Sequence, residues 1–150
     1  MRCQEAVDYP CRAMVFRPEP QSGRHAGAGG RGGSVEFRLA RNAVVAEFLK
    51  GRLSRAEVCD AHPELLRAAR NCATPTAQEC PVCEVDQVVM VTYVFGPGLP
   101  AGGRCVTTLA QMARLNRRST VLAGYVVEVC PGCGWNHLAR SHPVGGRRGA

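Results

Sequence analysis

Cys80, Cys83, Cys130 and Cys133 form two C-x-x-C pairs, "CPVC" and "CPGC". Each pair brackets a tight turn containing proline, and such a turn aims two sulfurs at one point. Two of these turns supply the four thiolates that a tetrahedral zinc ion takes. Gly134 follows Cys133 and lets the backbone turn around the sulfur. Glu84 holds the equivalent place after Cys83 and is less suited to it. Since the protein supplies all four ligands, no position is left for water, and the single zinc is expected to be structural and not catalytic. Iron of the rubredoxin type and dithiol redox pairs are the alternatives. The redox reading needs a C-x-x-C at a helix N-terminus, whereas both pairs have strand-like flanks.

The other residues with chemical potential are weaker candidates. Cys59, Cys72 and Cys105 read as small apolar residues and not as ligands. Trp135 and His137 follow the second pair; each is either part of the strand packing or a contact for a partner. Arg114, Arg117 and Arg118 recur at helical spacing, so they read as a solvated helix face or as a phosphate-contacting one. No nucleotide-binding loop, nucleophile elbow or paired-carboxylate constellation is present in the sequence. With three aspartates and four histidines in the chain, the expectation is a non-enzyme.

The elements that must position the cysteines can be read from periodicity and capping signals. From Glu36 to Lys50, Phe37, Ala40, Val44, Val45 and Phe48 fall on one helical face, with Gly51 as the stop. Ser54 with Glu57 forms a capping box for a second helix. Pro63 opens a third, "PELLRAARN", with Asp60 or His62 before it. Residues 72–79 read as a linker. Val88–Phe95 is β-branched and aromatic and reads as a strand. "GPGLPAGG" is a loop, and Thr107 or Thr108 caps the helical stretch "LAQMARLNRR". "TVLAGYVVEVC" is a second strand entering the second knuckle, and "WNHLARSHPV" a third leaving it.

The expected fold is therefore α+β: short N-terminal helices, then a three-stranded antiparallel zinc-ribbon-like sheet with a helical insert. Residues 1–34 read as a disordered tail or a mis-assigned start, since "PEPQSGRHAGAGGRGG" has nothing to bury and the folded pattern begins at Val35. Residues 35–79 form a helical unit with its own core from Phe37, Val44, Phe48, Leu65 and Leu66. Residues 80–144 form the ribbon unit, and 145–150 a disordered tail.

Composition narrows the class of partner. Formal net charge is +7, which invites an anionic partner, but no segment is a dense basic block. Lys50 is the only lysine against eighteen arginines, a skew across the whole chain that fits GC-rich codons. The longest apolar run, Val121–Val127, is far too short to span a membrane. The N-terminal residues include Glu5 and Asp8 and no continuous apolar stretch, so they do not read as a secretory signal. A cytoplasmic setting follows, in which nine cysteines are thiols and metal ligands and not a disulfide framework.

Two stretches, "AEVCDAHPELLRAA" (56–69) and "VVEVCPGCGWNHL" (126–138), occur in order with "CPVC" and "YVFG". Together they resemble a family of small actinobacterial proteins catalogued as a domain of unknown function, over roughly Val35 to Val144. The resemblance implies a cytoplasmic protein with a zinc-ribbon-like half and supplies no activity. The reading is a non-enzymatic zinc-binding interaction module that contacts nucleic acid or a transcription or translation complex. A thiol redox protein, or a helix-turn-helix DNA-binding regulator, is the alternative.

Overall fold

Capping chemistry sets the helix boundaries. The computed structural model describes residues 33–146. Helix α1 spans Arg38–Leu49 and ends before Gly51, which takes φ +74°. Helix α2, Arg55–Val58, starts on the Ser54–Glu57 capping box. Helix α3, Pro63–Asn71, has proline at its first position, and His62 Nδ1 accepts from the Glu64 N–H at 3.2 Å. Helix α4, Leu109–Asn116, starts on a second capping box between Thr108 and Gln111. The caps of α2, α3 and α4 satisfy N–H groups that have no partner within the helix.

The strands are β1 (Val35–Glu36), β2 (Thr74–Glu79), β3 (Gln87–Phe95), β4 (Arg104–Val106), β5 (Val121–Val129) and β6 (Asn136–Gly145). They form one antiparallel sheet in the order β1-β6-β5-β3-β2, with β4 also paired to β3. The expected three strands are its centre, β3, β5 and β6, but the sheet has six strands among the described residues and not three. The expected 72–79 linker holds β2, and Cys105 lies in a further strand, β4, opposite Tyr93. The reason is that β2 and β4 are edge strands that share one side of β3, β2 facing its first half and β4 its second. The sequence of β2, "TPTAQE", is nearly all exposed and carries Pro75. Such strands are defined by backbone pairing and not by alternating side chains. The register of β5 and β6 shifts between Val126 and Val127, which leaves Ala139 as an extra residue on β6. The Ala139 carbonyl accepts the Phe37 N–H at 3.0 Å, so the bulge docks the start of α1.

Helices cover both faces. On one face, Val91, Tyr93, Val127 and Val129 pack against Leu65 and Ala69 of α3. On the other, Val94, Leu122 and Val144 pack against Leu115 of α4. At the cysteine end, Val44, Val45 and Phe48 of α1 and Val58 of α2 pack with Cys80, Val82, Val88, Cys130 and Trp135. The separate helical core expected from Phe37, Val44, Phe48, Leu65 and Leu66 is thus replaced by two clusters, each shared with the sheet. Three short helices have too little apolar surface to bury against one another, so they bury it on the nearest sheet. The expectations for the terminal segments fall mostly on residues 1–32 and 147–150, outside the described range; Gly145 belongs to β6.

Candidate metal centre

The four cysteines converge. β2 delivers Cys80 and β5 delivers Cys130, and the Sγ atoms of Cys80, Cys83, Cys130 and Cys133 all lie within 4.8 Å of one another. The Cys80–Cys133 and Cys83–Cys130 separations are 3.6 and 3.8 Å. A tetrahedral ion with sulfur bonds of about 2.3 Å needs its sulfurs about 3.8 Å apart. A disulfide would bring them to about 2.0 Å. The donor set and its spacing therefore suit one tetrahedral metal ion, with Cys80 and Cys130 buried and Cys83 and Cys133 half-buried.

Backbone geometry holds the sulfurs. Glu84 N–H donates to the Cys80 carbonyl at 3.1 Å, and Gly134 N–H to the Cys130 carbonyl at 3.0 Å. Both closing residues are left-handed, Glu84 at φ +53° and Gly134 at φ +87°. Amide N–H groups also point at sulfur, Val82 to Cys80 at 3.5 Å and Trp135 to Cys133 at 3.4 Å. These donors favour the thiolate that a metal requires.

As bare thiols the cysteines differ. Burial pushes Cys80 up, and it pushes Cys133 up strongly. For Cys83 the upward push of burial is outweighed by the N–H groups of Asp86 and Val85 and by the thiols of Cys80 and Cys130, which bring it to about 7. A bound cation would supply the missing stabilisation for the two buried-side thiolates.

A fifth sulfur stands beside the four. Cys59, at the C-terminal end of α2, aims its thiol at Cys133 Sγ from 3.6 Å. It was expected to be an incidental residue of the helical segment, because nothing in the linear spacing joins it to a C-x-x-C pair. Its segment is fixed to the second knuckle: Ala61 N–H donates to the Gly134 carbonyl at 3.1 Å, and Asn136 Nδ2 to Asp60 Oδ1 at 3.0 Å.

A buried ion pair backs the centre. Glu128, two residues before Cys130, is 3% exposed and accepts from Arg41 Nε and Nη2, both at 2.8 Å. Its Oε1 also accepts from Trp135 Nε1 at 3.0 Å. The hydrogen bond to Glu128 leads the upward shift of the Arg41 pKa. An acid in the otherwise apolar "VVEV" was the available signal for this pair, but its partner lies across the fold on α1.

The partner-contact candidates do not form one surface. Trp135 is fully buried in the cysteine-end core, so the expectation that it meets a partner is corrected. Packing against the knuckle and the bond to Glu128 consume both its ring and its N–H. His137 is half-buried and stacks on Trp135 at 6.1 Å. Helix α4 stops at Asn116, so of the three arginines only Arg114 lies on it; Arg117 is its C-cap and Arg118 follows. The expected single helix face is therefore shortened. Arg114 and Arg117 are exposed, while Arg118 folds back to the Pro97 carbonyl at 3.4 Å.

The chain resembles other proteins in sequence. A relative in Mycobacterium tuberculosis, the uncharacterized protein Rv0049, is 40% identical over 116 residues, 77% of this chain and 85% of that protein. The uncharacterized protein Mb0050 of Mycobacterium bovis matches to the same extent. No solved structure matches. The model of a family of unknown function, DUF5318, matches residues 30–150, and the chain belongs to that family.

Proposed function

We propose that this protein is a non-enzymatic zinc-binding interaction module with one structural ion. The observation that carries the reading is the convergence of Cys80, Cys83, Cys130 and Cys133 at tetrahedral sulfur spacing. Zinc bound there would join the turns that follow β2 and β5 through one four-thiolate node, against which α1 and α2 pack, and leave no open coordination position. The ion is a folding element in this reading, and its affinity falls as protons compete for the thiolates. The same donors suit iron, so metal identity is the first test. Protein purified without chelators should contain one zinc per chain. Iron in its place, or no metal, overturns the assignment.

The module reading extends to a cytoplasmic partner, either a protein complex or nucleic acid. Among the described residues no helix is long and apolar enough to cross a membrane. Arg114 and Arg117, at the end of α4, are two exposed cations offered to an anionic surface. Affinity capture of the full chain should return a defined protein assembly, or nucleic acid whose binding weakens steeply with salt. In the nucleic-acid case, replacing both arginines by alanine should flatten that salt dependence. Catalysis by the purified chain would sink the non-enzymatic part.

A further inference from the structure

We propose that Cys59 is the resolving thiol of an oxidant-sensitive centre: a peroxide oxidises Cys133, a Cys59–Cys133 disulfide closes, and the metal is discharged. The metal half of this inference rests on the reading above; the pairing of the two cysteines does not.

Three observations converge. The first is distance. Cys59 Sγ lies 3.6 Å from Cys133 Sγ, the same separation as Cys80 from Cys133 within the ligand set. Closing to a disulfide length of about 2.0 Å needs only a small movement of the two side chains. The second is anchoring. Cys59 N–H donates to the Arg55 carbonyl at 2.9 Å, and the Ala61–Gly134 and Asp60–Asn136 bonds tie the following residues to the second knuckle. The thiol is therefore held at its target through the backbone on both sides. The third is access. Cys80 and Cys130 are 1% and 0% exposed, whereas Cys133 and Cys59 are half-buried. Cys83 is half-buried as well, but of these two ligands within reach of solvent only Cys133 has the Cys59 thiol beside it.

The chemistry balances with peroxide as the oxidant. The Cys133 thiolate attacks one peroxide oxygen, the O–O bond breaks, and hydroxide leaves. Cys133 is then a sulfenic acid. The Cys59 thiol attacks that sulfur, the S–O bond breaks, and the oxygen departs as water with the thiol proton. The two sulfurs lose two electrons in total, and the peroxide gains them. Cys133 is thereby withdrawn from the ligand set, and three thiolates are left where four-coordinate binding needs four.

The test uses the full chain loaded with zinc and treated with hydrogen peroxide in the presence of a chromophoric chelator. Thiols are then blocked and peptides are mapped without reduction. The cross-linked peptide should join Cys59 to Cys133 and should appear together with the released zinc. Cys59→Ser should contain as much zinc before treatment, lack that peptide, and release zinc several-fold more slowly. Cys59→Ala serves as a second variant should the serine disturb folding. Cys72→Ser and Cys105→Ser should behave as the parent. A cross-link between Cys80 and Cys133 or between Cys83 and Cys130 overturns the proposal, as does parental zinc release from both Cys59 variants. A chain that purifies without metal sinks the zinc reading instead; the peroxide-treated peptide map then still decides the Cys59–Cys133 pairing.

Discussion

The two knuckles carry the same backbone bonds in different surroundings. Each closes with an N–H from the residue after the second cysteine to the carbonyl of the first, and each closing residue is left-handed. In the first knuckle that residue is Glu84, exposed, and the next, Val85, is 82% exposed. In the second it is Gly134, buried, and the next is the fully buried Trp135. A Cβ on Gly134 would meet the Cys59 carbonyl at 3.1 Å. The middle positions differ in the opposite sense: Val82 is in the core, while Gly132 is exposed and has the Asp86 carboxylate lying where a Cβ would project. The turn conformation is thus common to both, and the neighbours decide which residue each position tolerates. At the solvent-facing knuckle the left-handed residue bears only local backbone strain. At the embedded knuckle it has no room for a side chain as well.

The largest effect should erase the contrast. Replacing Cys80 or Cys130 by serine removes one ligand from a site whose zinc binding is worth ~10–16 kcal/mol, against a typical domain stability of about 5–15 kcal/mol. Both variants should lose metal and unfold cooperatively by circular dichroism. Chelation should do the same and take the helical signal with it, because Val44, Val45, Phe48 and Val58 pack on the cysteine cluster. Retention of the helices after chelation would show that residues 35–79 fold alone. Next comes the support of the embedded knuckle. Glu128→Ala leaves the Arg41 guanidinium without its carboxylate and should cost about 3–5 kcal/mol in denaturant unfolding. Adding Arg41→Met should recover much of that loss; no recovery would mean that Glu128 acts through Trp135 instead. Smaller again, Gly134→Ala should destabilise by about 1–3 kcal/mol through strain and contact. Glu84→Ala, the matched change at the other knuckle, should be nearly neutral. The smallest effect has the opposite sign. Glu84→Gly relieves a left-handed penalty of about 1–2 kcal/mol and adds backbone entropy to the unfolded chain, for a net gain of about 0.5–1 kcal/mol. Equal responses at positions 84 and 134 would dissolve the distinction between the knuckles.

Local signals in the sequence were legible because they act locally. Ser54 with Glu57, His62 with Pro63, and Thr108 with Gln111 each cap a helix through atoms a few residues apart. The two C-x-x-C turns specify their own sulfur geometry, and β3 and β5 announce themselves by β-branched runs. The missed features depend on partners outside their own segment, some of them far away in the chain. Strand β2 exists because β3 offers an open edge, not because "TPTAQE" prefers extension. Cys59 meets Cys133, and Arg41 meets Glu128, only once α1 and α2 have folded onto the cysteine end of the sheet. For Trp135 the sequence leaves packing and partner contact both open, because a position after a knuckle has no periodicity from which burial can be inferred; the structure puts it in the core.

The pairing of β1 with β6 also bears on how the molecule is made. Val35 lies opposite Ser141, so the first described strand finds its partner only after nearly all of the described chain has been synthesised. Domains emerge from the ribosome N-terminal end first. The β2–β3 hairpin, with Cys80 and Cys83, is therefore complete while Cys130, Cys133 and β6 are still to come. A nascent chain presents a half-set of thiols and an unpaired sheet edge until its final strand arrives. Strand β6 both pairs with β1 and directly follows the remaining two ligands, so completing the described sheet and completing the ligand set fall together in the order of synthesis.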